Sequence, residues 1–149
     1  GILGLSCSDI SLQDNSNSGN LTVKNIGKTD VYCGGVLGFY RQANVLKTSS
    51  NVNRANVSLE AQNGAAGGVF GHVASTGEKL SGDANFGAVS FGADNSKSAS
   101  IAGLTSAPLE SCKVGGSVNG VVLNADNFSL YIQGTESKAS HSGCVFATK

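Results

Sequence analysis

Val57-Ser58-Leu59-Glu60-Ala61-Gln62-Asn63, Val89-Ser90-Phe91-Gly92-Ala93-Asp94-Asn95 and Val121-Val122-Leu123-Asn124-Ala125-Asp126-Asn127 follow one another at intervals of 32 residues. In each copy apolar residues stand at the first, third and fifth positions, the spacing of a strand that buries one face. A second series lies between these copies. Gly34-Gly35-Val36-Leu37-Gly38 returns as Gly67-Gly68-Val69-Phe70-Gly71 after 33 residues. Weaker copies follow at Ala99-Ser100-Ile101-Ala102-Gly103 and Leu130-Tyr131-Ile132-Gln133-Gly134, after 32 and 31. Helical repeats of similar length place apolar residues at i, i+3, i+4 and i+7 and favour Leu, Ala, Glu and Lys. Spacing of two, β-branched or small residues and glycine in every segment exclude them here.

The pattern predicts an all-β chain: a right-handed parallel β-helix, or solenoid, of about 32 residues per coil and between four and five coils. Right-handedness follows from the general preference of parallel crossovers. Residues 1–149 form a single β-solenoid domain in this reading, expected to belong to a larger surface protein. Each coil has room for about three strands, for example 35–40, 44–48 and 56–61. One repeat per coil stacks equivalent residues at the strand spacing of about 4.8 Å. Val57, Val89 and Val121 are then one aliphatic stack, and Leu59, Phe91 and Leu123 another. Asn63, Asn95 and Asn127 are expected to form an amide ladder, with side chains bonding along the axis. The first coil fits if three extra residues lie near Gly27 to Asp30, because Val23 reaches Val36 after 13 residues and Leu59 reaches Val69 after 10.

Composition limits function. Charged residues are 13% of the chain, with Lys plus Arg and Asp plus Glu at 10 each. Nucleic-acid binding needs clustered Lys and Arg, and anionic membranes call for polybasic segments, so neither partner is expected. No apolar run approaches the roughly 18 residues that span a membrane. The chain opens at Gly1, as expected after processing or trimming. Leu5-Ser6-Cys7 is a faint lipoprotein-like site, with Gly4 where an aliphatic residue is wanted.

The Gly-Gly-Val-Leu-Gly and Gly-Gly-Val-Phe-Gly segments at this period resemble the GLUG-type repeats of bacterial, Bacteroidetes-like, surface or secreted proteins. The resemblance runs over roughly residues 12–146, and the copies at Ile101 and Ile132 depart from it by losing the double glycine. It implies a solenoid fold and an extracellular or cell-surface location, and it brings no catalytic residues.

Four sets of residues can carry chemistry. Cys112 and Cys144, 32 apart, should stack on adjacent coils within the Cα range of a disulfide. In-register side chains run alongside one another, however, so they are read first as two small buried thiols. Cys7 and Cys33 could pair across the terminal coil. Asp94 and Asp126 share a turn position; with Asn95 and Asn127 they could offer oxygens to calcium, or simply cap their turns. Tyr32, Phe39, Tyr40 and Arg41 form the densest aromatic cluster, suited to packing on sugar C–H groups or to filling an irregular first coil. His72 stands where Phe39 stands one coil earlier and reads as a partly buried turn residue; His141 falls in a polar loop. The acidic residues are otherwise scattered, so the two-carboxylate arrangement of glycoside hydrolysis is not recognisable. The expected role is a non-enzymatic module for adhesion, glycan binding or spacing, with polysaccharide or host glycan as partner. A carbohydrate-active β-helix domain, lyase-like, hydrolase-like or a binding appendage of such an enzyme, is the alternative.

Overall fold

The computed structural model describes residues 1–41, 45–74 and 78–148. It is an all-β solenoid of about four turns, with successive turns roughly 32 residues apart. Five sheets run parallel to the axis. The first stacks Leu3–Ser6, Leu37–Tyr40, Phe70–Val73 and Ala102–Thr105. The second stacks Ile10–Gln13, Leu46–Ser49, Leu80–Ser81, Leu109–Glu110 and His141–Ser142. The third stacks Ser16–Asn17, Val52–Asn53, Ala84–Asn85, Lys113–Val114 and Val145–Phe146. The fourth begins with Leu21–Lys24, Val57–Glu60, Ala88–Ser90 and Ser117–Val118, and the fifth holds Val31–Gly34, Gly64–Gly67 and Ser98–Ala99. All these neighbours pair in parallel.

Coils therefore carry up to five short strands rather than three. The expected strand at 35–40 begins only at Leu37, because Gly35 and Val36 form a corner between the fifth and first sheets. Asn44, at the start of the expected strand 44–48, lies outside the described residues. The corner between the second and third sheets has one local cause. Asp14, Ser50, Gly82, Ser111 and Gly143 hold equivalent places there, and all have φ between +55° and +71°. A left-handed residue turns the chain sharply in one step, which ends one ladder and starts the next.

The core lies inside the tube. Val36, Val69, Ile101 and Ile132 stack along it at 0% to 1% exposure, so the degenerate third and fourth copies of the glycine motif keep the motif's place. The second glycine of that motif answers to the opposite wall. A Cβ on Gly35 would stand 2.4 Å from the Asn53 Oδ1, and one on Gly68 2.2 Å from the Asn85 Cγ. The extra residues of the first coil fall where expected: Lys24 to Val31 is a longer connection than Glu60 to Gly64, although Leu21 pairs with Val57 and Val31 with Gly64.

Between the third and fourth coils the register shifts by three residues: Val73 pairs with Thr105 after 32, but Leu80 pairs with Leu109 and Ala84 with Lys113 after 29. Val57 pairs with Val89, but Val89 pairs with Val118, three residues before the expected Val121. Val118 is buried, whereas Val121 is 39% exposed. The chain turns at Asn119-Gly120, both with positive φ, and Val121–Val122 runs back antiparallel to Ser117–Val118. An Asn-Gly pair suits the tight hairpin that this reversal needs. Leu123 is buried, yet its backbone N–H bonds Gly116 O, so it caps the fourth sheet from a reversed strand and does not stand in register over Phe91. His141, expected in a loop, lies in the second sheet opposite Leu109.

Candidate ligand face and stacked polar columns

On the outer side of the first sheet, Leu5, Phe39, His72 and Leu104 form one column by strand register. Tyr40 and Val73 are buried in the core, and alternation along the strand turns the residues just before them, Phe39 and His72, outward. Tyr32, on the fifth sheet, leans over the same corner. Ring centroids are 4.6 Å apart for Tyr32 and Phe39, 4.8 Å for Tyr32 and His72, and 4.9 Å for Phe39 and His72. All three side chains are half-buried. The Tyr32 hydroxyl donates to Asp30 Oδ2 at 3.3 Å, and burial, then the Asp30 charge, push its pKa up. Burial holds the His72 imidazole below its ordinary value; Lys97 acts in the same direction and Asp30 against it. His72 Nδ1 is shielded from water and has no hydrogen-bond partner.

Tyr40 does not belong to this face. Its ring is buried in the core and its hydroxyl donates to Ser8 O at 3.3 Å. Tyr40 directly follows Phe39 on the strand and therefore points the other way. Arg41 is exposed at the end of the same strand. His72 takes the place that Tyr40 was expected to fill, and the 33-residue relation to Phe39 was the signal for it.

The amide ladder is present on different residues. Asn63 donates to Lys28 O, Asn95 accepts from Asn119, and Asn127 closes a turn with Asn124 and Val122, so these three do not bond one another. Instead Asn17 Nδ2 donates to Asn53 Oδ1, and Asn53 Nδ2 to Asn85 Oδ1, each at 2.8 Å. The second hydrogens of these amides close turns onto Gly19, Ala55 and Gly87. One coil above Asn85 stands Val114, which cannot accept, and Asn85 Nδ2 reaches Ser100 Oγ at 3.1 Å. Ser100 occupies the second-glycine position of the motif, so the lost double glycine is the ladder's terminus.

A parallel column contains Asn15, Asn51, Asp83, Cys112 and Cys144. Asn15 Nδ2 donates to Asn51 Oδ1 and Asn51 Nδ2 to Asp83 Oδ1, both at 2.9 Å. Asp83 is buried completely and also accepts from Thr48 Oγ1 at 2.8 Å. Burial pushes its carboxyl up to about 6, against the hydrogen bonds from Thr48 and Asn51. The tripeptides Asn15-x-Asn17, Asn51-x-Asn53 and Asp83-x-Asn85 carried both columns in the sequence.

Asp94 and Asp126 sit in different turns. Asp94 caps the short 3₁₀ turn Asn95–Lys97 by accepting from Ser96, and pairs with Lys97 at 3.9 Å. Asp126 follows the reversed hairpin, and its backbone N–H donates to Asn124 Oδ1 at 2.8 Å. The register shift between Thr105 and Leu109 and the reversal at Asn119-Gly120 together separate what a strict 32-residue period would have stacked. Among the described residues no three His, Cys, Asp or Glu side chains gather as a metal site. Cys33 is a buried thiol pushed up to about 11 by burial, not a disulfide partner of Cys7.

Elsewhere, a groove of about 780 Å³ lies outside the second sheet, lined by Gln13, Lys47, Thr48, Glu78 and Lys79 among others. A neighbouring one of about 490 Å³ shares Lys47 and Glu78. Compared with family models, with curated proteins and with solved structures, the chain finds no match.

Proposed function

We propose that this chain is a non-enzymatic solenoid module of a surface or secreted protein, of the GLUG-like glycine-rich kind, that holds a glycan on its outer corner. The observation that carries this reading is the Tyr32, Phe39 and His72 cluster, three half-buried rings within 5 Å of one another on a rigid sheet. Ring faces of this kind accept the C–H face of a pyranose, and Leu5 and Leu104 extend the apolar strip along the axis. A stacked scaffold fixes the spacing of these contacts, so a repetitive polymer suits it better than a small free sugar. Its low net charge favours a neutral glycan over a polyanion.

Titration of the purified chain against a glycan array tests the reading. Saturable binding should appear for a neutral polysaccharide and fall at least tenfold in Phe39→Ala and Tyr32→Ala. Silence across the array, or binding indifferent to both substitutions, would sink it. The two adjoining grooves favour the second reading, a carbohydrate-active β-helix. Release of reducing ends that Glu78→Gln abolishes would favour that enzyme over the binding module.

A further inference from the structure

The polar column at the second corner ends in two cysteines, and the geometry of the rungs below shows how their side chains lie. In the two lowest rungs the backbone N–H donates to the side-chain acceptor of the rung above. Asn15 N donates to Asn51 Oδ1 at 3.2 Å, and Asn51 N to Asp83 Oδ1 at 3.1 Å. Cys112 N repeats this with Cys144 Sγ at 3.2 Å. Side chains in this column therefore lean back onto the preceding rung, which brings the Cys144 sulfur over Cys112. Both residues stand just after a left-handed residue, Ser111 or Gly143, and just before the paired strands Lys113–Val114 and Val145–Phe146. Strands pair at about 4.8 Å, inside the Cα separation that a disulfide spans. Cys112 is buried, while Cys144, on the last coil, is partly open to solvent.

We propose that Cys112 and Cys144 form a thiol pair that a small-molecule disulfide converts into a covalent clamp between the last two coils. The Cys144 thiolate attacks one sulfur of the small disulfide, giving a mixed disulfide on Cys144 and releasing one small thiolate. Cys112 then loses its proton, which the released thiolate takes, and its thiolate attacks the Cys144 sulfur and expels the second small thiolate, which takes a proton from water. Two protein thiols are oxidised by two electrons and one small disulfide is reduced to two thiols.

The order of attack follows from the site. Hydrogen bonds from the Cys112 thiol and backbone bring Cys144 down to about 7 despite its partial burial, so Cys144 holds much of the thiolate at neutral pH. Hydrogen bonding to Cys144, burial and the Cys144 and Asp83 charges hold Cys112 far above the usual range. Once Cys144 is capped, its negative charge is gone, and Cys112 is freed to act as the resolving thiol.

The test treats the full chain with oxidised glutathione at neutral pH and maps thiols and disulfides on non-reduced peptides. The expected product is a Cys112–Cys144 link with the loss of two hydrogens, and a raised unfolding midpoint that dithiothreitol reverses. Cys112→Ser should stop at a glutathione adduct on Cys144, and Cys144→Ser should leave Cys112 unmodified while folded. Circular dichroism of both variants checks that the solenoid persists. Adducts at Cys7 with Cys144 untouched, or a Cys144 adduct in the unsubstituted chain that Cys112 never resolves, would overturn the proposal.

Discussion

The first three coils and the coils above them solve one corner in two ways. Below, Asn17, Asn53 and Asn85 run an amide ladder through a region with at most 7% exposure. Above, Val114 and Phe146 occupy the same column as hydrocarbon. An amide stacked in a dry tube must find both a donor and an acceptor, so it tolerates a neighbour of its own kind or a dedicated terminus. At the lower end Gly1 N donates to Asn17 Oδ1 at 3.4 Å, and at the upper end Ser100 Oγ accepts from Asn85 Nδ2. Hydrocarbon needs neither, so Val114 and Phe146 continue the column with no polar partner along it.

Breaking the seam in its middle should have the largest effect. Asn53→Val strands the Asn17 amide donor and the Asn85 acceptor inside the tube, at about 1–3 kcal/mol for each group. Urea unfolding should show a loss of about 4 kcal/mol. A loss under about 1 kcal/mol would mean that water replaces the amide and that the seam is not a dry ladder.

Asp83 should give the next largest change, in the opposite direction. Its folded carboxyl binds a proton more tightly than the ordinary value of 3.8 allows, with a value of about 6. The stability it confers is full below the unfolded value and is lost as pH rises through the folded one. Asp83→Asn, which continues the Asn15 and Asn51 column, should therefore stabilise the chain at pH 7 by up to about 3 kcal/mol. Thermal unfolding between pH 4 and pH 7 checks this: the gain must shrink towards zero at the acid end. A variant less stable at every pH would show that the charge is compensated by its three donors.

The slipped register gives a sharper, smaller contrast. Val118→Ala should cost about 2 kcal/mol as a buried truncation, while Val121→Ala, on the reversed strand, should cost less than about 0.5 kcal/mol. Equal costs would restore the unbroken 32-residue period. Ser100→Gly is the mildest change, about 1 kcal/mol, since it returns the motif's glycine but leaves the Asn85 donor without its terminus. Chemical denaturation of that variant at neutral pH measures it, and a gain would contradict the terminus.

At the corner face, register from the glycine motif set Phe39 and His72 one above the other, and that was legible from their spacing alone. Tyr40 was not separable from Phe39 in the sequence, because two adjacent aromatics on a strand look alike until the inward face is known. The Asp94 and Asp126 pairing was a reasonable extension of the period; it failed because the Thr105 to Leu109 connection is three residues shorter than Val73 to Leu80, and because the chain then reverses at Asn119-Gly120.

The sequence by itself determined the class of fold, its period and the extra residues of the first coil, because stacked coils repeat residue type at the repeat distance. It also contained both polar columns, as Asn or Asp two residues before Asn, although the stronger apolar rhythm hid them. Only the tertiary structure decided which wall each repeated residue faces, and where the ladder ends. A buried amide is satisfied by whatever oxygen lies across the tube, and Ser100 meets Asn85 through space, on the opposite wall, not along the chain.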